Sequence, residues 1–151
     1  AYDTNALIGA GTVLTPDEVV QVADAGGKLI VSPNFDRSVI QKTKSLRLHS
    51  WPGVFTPTEA LGALAAGADG LKLFPGSMAG PSGLAAMRAI LPTGTLIFAV
   101  GGAGPANFGD WLAVGADGFG LGTAVYTPNM TPKEVATRAE HIVRSYDEAT
   151  K

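Results

Sequence analysis

At 151 residues the chain has room for one domain with a sizeable core, and 46% apolar against 16% charged residues excludes intrinsic disorder. A net charge of −2 without a basic run argues against nucleic acid or an anionic membrane as partner. Cysteine is absent, which removes disulfides, thiolate chemistry and cysteine-held metals. No apolar segment is long enough to span a bilayer and no signal-peptide pattern is present, so the composition reads as a soluble, cytoplasmic protein.

In chain order, Ala6 to Gly9 reads as a short strand running into Gly9-Ala10-Gly11-Thr12. Thr15-Pro16-Asp17-Glu18 starts a helix, with Thr15 as N-cap, Pro16 in the first turn and Glu18 closing a capping box. Gly26-Gly27 ends it, and Leu29-Ile30-Val31 is the second strand, closed by Ser32-Pro33-Asn34. Asp36 opens a helix to Lys44, and Leu46 to Trp51 reads as a third strand stopped by Pro52-Gly53. Thr56-Pro57-Thr58-Glu59 repeats the helix-start signal, for a helix to Ala66. The strand Gly70 to Phe74 carries one lysine in its middle and ends at Pro75. A helix over 81–91, a strand over 96–100 and Gly101-Gly102 come next. Then follow a helix over 105–114, a strand over 118–121, Gly122-Thr123, and a last helix over 132–149.

The joints repeat. Ala66-Gly67-Ala68-Asp69-Gly70-Leu71 and Val114-Gly115-Ala116-Asp117-Gly118-Phe119 are each a helix end, a glycine cap and a strand start. About six strand-then-helix units without a hairpin signal imply an α/β fold with a parallel sheet and right-handed crossovers. The sheet is either open and doubly wound or a (β/α)8 barrel, whose rhythm of roughly 25 residues per unit the chain shares. A full barrel takes eight units, so the single domain over 1–151 is a partial one in that reading.

In parallel α/β folds the chemistry lies at the carboxyl ends of the strands. Lys28, Asp69 and Asp117 stand at strand beginnings and read as caps and solubilising charges. Lys72 stands toward the end of a central strand, where a lysine without a task is costly. Burial lowers an amine's pKa and makes it a nucleophile, as imine chemistry requires. Its bland alternative is a lysine snorkelling from an edge strand. Gly101-Gly102 and Gly122-Thr123 follow the last two strands, where bare backbone N–H groups bind phosphate in many barrels; singly, such glycines merely turn the chain. Gly118, Gly120 and Gly122 leave one face of the last strand without side chains, which reads as room for a ligand. Gly9-Ala10-Gly11-Thr12 offers a hydroxyl and main-chain donors suited to a carboxylate. His49 and His141 lack ligand spacing, strand ends lack carboxylate clusters, and no Gly-x-Ser-x-Gly elbow occurs, so neither a metal nor a serine triad is expected. Trp51 is placed to line a pocket, whereas Trp111 reads as helix packing.

Gly9-Ala10-Gly11-Thr12-Val13-Leu14, Ser32-Pro33-Asn34, Lys72-Leu73-Phe74-Pro75, Val100-Gly101-Gly102 and Gly120-Leu121-Gly122-Thr123 occur in one order along the chain. Together they resemble the class I 2-keto-3-deoxy-6-phosphogluconate/phosphogalactonate aldolases, which are (β/α)8 barrels. Ser32-Pro33-Asn34, Gly80-Pro81 and the ending at Tyr126 are more similar to the phosphogalactonate branch. The resemblance implies that Lys72 is the Schiff-base lysine and Thr12 the residue that holds the pyruvate carboxylate. Pro33 and Phe74 match apolar pocket residues, and Gly101, Gly102, Gly122 and Thr123 match the phosphate site. It implies retro-aldol cleavage of a phosphorylated sugar acid to pyruvate and glyceraldehyde 3-phosphate, without metal or organic cofactor, by a homo-oligomer, expected to be a trimer. The alternatives are a phosphogluconate-specific enzyme, a phosphate-binding barrel isomerase or synthase, and a barrel that binds ligand without turnover. The resemblance covers the carboxyl-terminal three-quarters of such an aldolase. In relatives two preceding βα units supply a catalytic glutamate and a substrate-binding arginine, positions without counterparts in these 151 residues. Glu59 reads as a helix cap and is not assigned as the base.

Overall fold

A computed structural model describes residues 6–151, which cluster into two compact units. One runs to Lys72 and takes in Ile90–Leu96; the other comprises Leu73–Ala89 and Ile97–Lys151. Among the described residues every strand is short, at most four residues, so helix capping and glycine contacts do much of the ordering.

In the first unit β1 (Gly9–Gly11), β2 (Leu29–Val31) and β3 (His49–Trp51) form a parallel sheet in which Gly9 pairs with Leu29 and Leu29 with His49. The helix between β1 and β2, α1 (Pro16–Asp24), begins at a complete capping box: the Thr15 hydroxyl accepts the Glu18 N–H and the Glu18 carboxylate accepts the Thr15 N–H. Its Val19 is fully buried and packs with Val13, Ile30, Val39 and Leu48 into the core of this unit. The next helix, α2 (Arg37–Ser45), is capped by Asp36, whose carboxylate accepts N–H bonds from Ser38 at 2.8 Å and Val39 at 3.1 Å. A buried proline, Pro52, then separates β3 from β4 (Gly53–Val54), because proline has no N–H to continue the ladder. Its carbonyl accepts the Lys72 N–H at 2.9 Å, which seats β5 (Leu71–Leu73). Between them α3 (Pro57–Ala65) repeats the capping box with Thr56 and Glu59.

In the second unit α4 (Gly76–Arg88) is bent at Gly80, whose φ of 63° and ψ of 172° are outside the helical range. The strands β6 (Ile97–Val100) and β7 (Gly118–Gly120) are parallel, Phe98 opposite Gly118 and Val100 opposite Gly120. They are linked through α5 (Phe108–Ala113), and α6 (Pro132–Ala149) opens on a third capping box, Thr131 with Glu134. Phe108, Phe119 and Tyr146 stack as one aromatic cluster, with ring centroids 4.4 to 6.1 Å apart.

Each unit contains the same clamp at a strand's amino end. Asp69 accepts the Ser50 N–H at 2.8 Å and pairs with Lys44 at 2.6 Å. Asp117 accepts the Ile97 N–H at 2.7 Å and pairs with Arg88, which also donates to the Gly115 carbonyl. The expectation of caps and solubilising charges therefore understates both residues: each ties a helix, an earlier strand and its own strand together. Lys28 is exposed, and its main chain carries the sheet, donating to the Ile8 carbonyl and accepting from His49.

Several element bounds differ from the sequence reading. The first strand lies at Gly9–Gly11 rather than 6–9, because close pairing needs a residue without Cβ: a Cβ on Gly9 would stand 1.9 Å from the Leu29 carbonyl oxygen. Leu46 to Leu48 is not strand. The last turn of α2 captures Leu46, whose N–H donates to Lys42 and Thr43, and Arg47 turns the chain at a φ of 58°. Pro81 does start a straight helical run, but a further turn precedes it from Gly76, and that run ends at Arg88 rather than residue 91. The helix placed over 105–114 is regular only over Phe108–Ala113. The room expected beside Gly118 is filled by its neighbour: a Cβ there would stand 2.7 Å from the Phe98 ring.

Candidate functional site

The sequence candidates in the first unit are Thr12, Pro33 and Lys72. Gly11 pairs with Val31, and the Val13 N–H also returns to the Val31 carbonyl, so Thr12 is an extra residue at the strand's end. It takes a φ of 59°, a conformation that costs a β-branched residue on the order of 1–3 kcal/mol. The buried Ser32 hydroxyl, donating to the Val13 carbonyl at 2.7 Å, holds the residue after this bulge. Pro33 follows β2, half-buried, and packs its carbonyl where a Cβ on Gly53 would lie, 2.2 Å away. Lys72 is half-buried between Leu71 and Leu73, both essentially without solvent exposure. Desolvation holds its ammonium pKa below the ordinary lysine value. Such an amine loses its proton more readily than a surface lysine. Trp51 lies against Gly70, where a Cβ would meet the indole at 3.4 Å.

The other candidates, Phe74, Gly101, Gly102, Gly122 and Thr123, lie in the second unit, and there they meet. All five line one cavity of about 550 Å3, together with Val100, Gly120 and the loop to Asn107. None of its lining residues is charged. Gly101 and Gly102 have φ values of 86° and 82°, so two left-handed residues in succession make the rim after β6. At Gly102 a Cβ would also stand 2.8 Å from the Ser77 Cβ. After β7 a turn closes with the Val125 N–H on the Gly122 carbonyl, and Arg138 donates to the Thr123 carbonyl at 3.4 Å. The N–H groups of Gly102 and Thr123 make no hydrogen bond among the described residues. A charge-free, concave surface with main-chain donors suits an oxyanion better than a cation.

Asn107 belongs to none of the sequence motifs. Its amide donates to the Gly102 carbonyl and accepts the Gly104 N–H, both at 2.9 Å. The sequence reading placed it inside a helix over 105–114, whereas it precedes the helix and finds its partners in the loop behind it. Glu59 is the cap that the sequence indicates: its carboxylate accepts the Phe55 and Thr56 N–H groups at 2.8 Å, which hold its pKa below the ordinary value. His49 and His141 are both exposed, and among the described residues no group of three or more His, Cys, Asp or Glu side chains could hold a metal ion. Trp111 is buried, as packing requires, with its Nε1 lacking a partner among the described residues. Among those residues no helix is long and apolar enough to cross a membrane.

The family model for KDPG and KHG aldolases matches residues 2–141. A probable 2-dehydro-3-deoxy-6-phosphogalactonate aldolase of Rhizobium meliloti (strain 1021) is 52% identical, over 93% of this chain and 66% of the relative. The 2-dehydro-3-deoxy-6-phosphogalactonate aldolase of Escherichia coli (strain K12) is 43% identical over 99% of this chain and 73% of the relative. A solved structure described as native KDPGal superposes with a TM-score of 0.96 at 42% identity, covering 99% of this chain and 72% of that one. The chain thus spans about two thirds to three quarters of the length of these relatives.

Proposed function

The chain belongs to the KDPG and KHG aldolase family, with that family's barrel-type α/β fold, and from this premise we propose that it cleaves 2-dehydro-3-deoxy-6-phosphogalactonate to pyruvate and D-glyceraldehyde 3-phosphate. The observation that carries the reading is Lys72, an amine desolvated between two buried leucines in a central strand.

In the proposed reaction the neutral Lys72 amine adds to the C2 ketone, the carbinolamine hydroxyl takes up a proton and leaves as water, and a protonated imine forms. The C4 hydroxyl gives up its proton to a base, the C3–C4 bond breaks, and its electron pair moves onto the imine nitrogen as an enamine. Glyceraldehyde 3-phosphate departs. The enamine takes a proton at C3, and water hydrolyses the resulting imine to release pyruvate and the free lysine. The covalent nitrogen supplies the electron sink, so no step calls on a metal or an organic cofactor. Thr12 would hold the pyruvate carboxylate, Pro33 and Phe74 would shield the pyruvyl group, and Gly101, Gly102, Gly122 and Thr123 would bind the phosphate. These roles follow from the family motifs and agree with the chemistry of each position: a hydroxyl at a strand end, apolar walls, and main-chain donors around a charge-free cavity. We assign the enzyme to the cytoplasm as a homo-oligomer, expected to be a trimer.

The test is reductive trapping. Incubation with pyruvate and borohydride should add one pyruvyl mass, mapped to Lys72, and Lys72→Ala should lose it together with cleavage, by on the order of 10^3 or more. An adduct spread over surface lysines would sink the assignment. Comparing cleavage of the two C4 epimers then fixes the sugar acid, the galactonate epimer being the faster.

A further inference from the structure

Asn107 stands at the N-cap of α5, and its side chain makes no cap hydrogen bond. Asparagine is a strong N-cap because its side-chain oxygen accepts an N–H of the first helical turn, a contact worth about 1 kcal/mol. Here that contact is forgone. The amide turns back into the loop instead, with Nδ2 on the Gly102 carbonyl and Oδ1 on the Gly104 N–H, each at 2.9 Å. The loop it addresses, Gly101-Gly102-Ala103-Gly104, is three-quarters glycine and so has high intrinsic backbone freedom. It also forms one rim of the charge-free cavity.

In a trans peptide the carbonyl and the following N–H point in opposite directions. By fixing the Gly102 carbonyl, Asn107 fixes the Ala103 N–H; by fixing the Gly104 N–H, it fixes the Ala103 carbonyl. Two successive peptide planes are set by one side chain. A cavity lined without a cationic side chain depends, beside the Thr123 hydroxyl, on which main-chain dipole it presents to an anion, since an N–H attracts it and a C=O repels it. Resting on the reading of this cavity as the phosphate pocket, we propose that Asn107 is a positioning residue for the phosphate: it locks the peptide planes of the Gly102–Gly104 rim and thereby sets the pocket's affinity for the phosphoryl group, without touching it.

The substitution that isolates this role is Asn107→Ser. Serine caps a helix as well as asparagine does, so the start of α5 keeps its support, but its hydroxyl is too short to span both loop partners. Asn107→Asp is the second variant: it keeps an acceptor for the Gly104 N–H and sets a carboxylate against the Gly102 carbonyl. Inorganic phosphate is titrated calorimetrically into each protein, and steady-state cleavage and pyruvate trapping are measured alongside. Both variants should bind phosphate about tenfold more weakly, the scale of one lost hydrogen bond, with KM for the phosphorylated substrate rising in step while kcat changes far less. Variants that hold phosphate as the native chain does would overturn the inference while leaving the imine chemistry intact. A native chain that traps pyruvate on Lys72 but binds no phosphate would overturn both the pocket and the role of Asn107. A native chain that binds phosphate without trapping pyruvate would remove the aldolase reading, and the variants' phosphate affinities would still decide the inference.

Discussion

Ahead of β5, Asp69 is held by Lys44 and the Ser50 N–H, and ahead of β7, Asp117 is held by Arg88 and the Ile97 N–H. Beyond β6 and β7 lie Gly101-Gly102 and Gly122-Thr123, with no charged side chain around the cavity they line. The separation between the two kinds of end is only the length of a three- or four-residue strand, roughly 10 to 13 Å. Charge is paired and left in place at the amino ends, and the cavity beyond β6 and β7 is lined without it. A fixed carboxylate at the carboxyl ends would repel a phosphate or a carboxylate, while at the amino ends it strengthens the frame at no cost to binding.

The sharpest way to break this division is at Gly102. Gly102→Ala places a Cβ 2.8 Å from the Ser77 Cβ and forces a side chain into a φ of 82°. The rim must move, and KM for the phosphorylated substrate should rise at least about tenfold. Unchanged kinetics would mean that the rim does not set phosphate affinity. At the opposite ends Asp117→Ala should leave the cavity alone and loosen the frame. It strands the Ile97 N–H and breaks the ion pair with Arg88, which keeps its bond to the Gly115 carbonyl, a loss of about 2 kcal/mol that in a chain of this size lowers Tm by roughly 4–8 °C with kcat nearly unchanged. A fall in kcat without a fall in Tm would erase the contrast between the ends.

The smallest effect on stability concerns Lys72, a charge placed toward the carboxyl end of its strand. Its pKa is lowered by desolvation, so the unfolded chain binds this proton more tightly than the folded one, and folding stability from this group rises as pH climbs toward the ordinary lysine value of 10.5. Two consequences follow in the same window. Pyruvate trapping at Lys72 should accelerate with pH with a midpoint below 10.5, because the neutral amine is the nucleophile. Lys72→Met should abolish trapping yet raise Tm at neutral pH by on the order of a degree, since the desolvated charge is removed. A lower Tm would show that the lysine stabilises the strand it interrupts.

The sequence carried the local parts of this picture well. Thr15, Thr56 and Thr131 each start a helix with a complete capping box because donor, acceptor and proline all lie within four residues. The lysine's partial burial was legible from the leucines on either side of it. Contacts distant in sequence were not. The partners of Asp69 and Asp117 lie 25 and 29 residues back, and nothing in the repeated glycine-cap joints announces them. The register of β1 turns on Gly9 meeting the Leu29 carbonyl, a contact that an apolar run at 6–9 does not encode. The bulge at Thr12 arises from how β1 ends against β2, so its residue type gave the hydroxyl but not the strained backbone that presents it. Asn107 was hidden because the sequence reading placed it inside a helix over 105–114, whereas the helix begins only after it, at Phe108.

A ligand contact made by main chain cannot be deleted, only re-aimed. If the pocket after β6 and β7 reads its anion through N–H groups, alanine scanning of the lining residues would find few that matter, because the groups in contact survive every such change. The informative substitutions are those that alter backbone conformation, at Gly101, Gly102 and the asparagine behind them. Drift in side-chain identity around the cavity would then be nearly silent, whereas any residue with a Cβ at either left-handed glycine would be selected against. That makes the site tolerant of a changing sequence and intolerant of a changing fold.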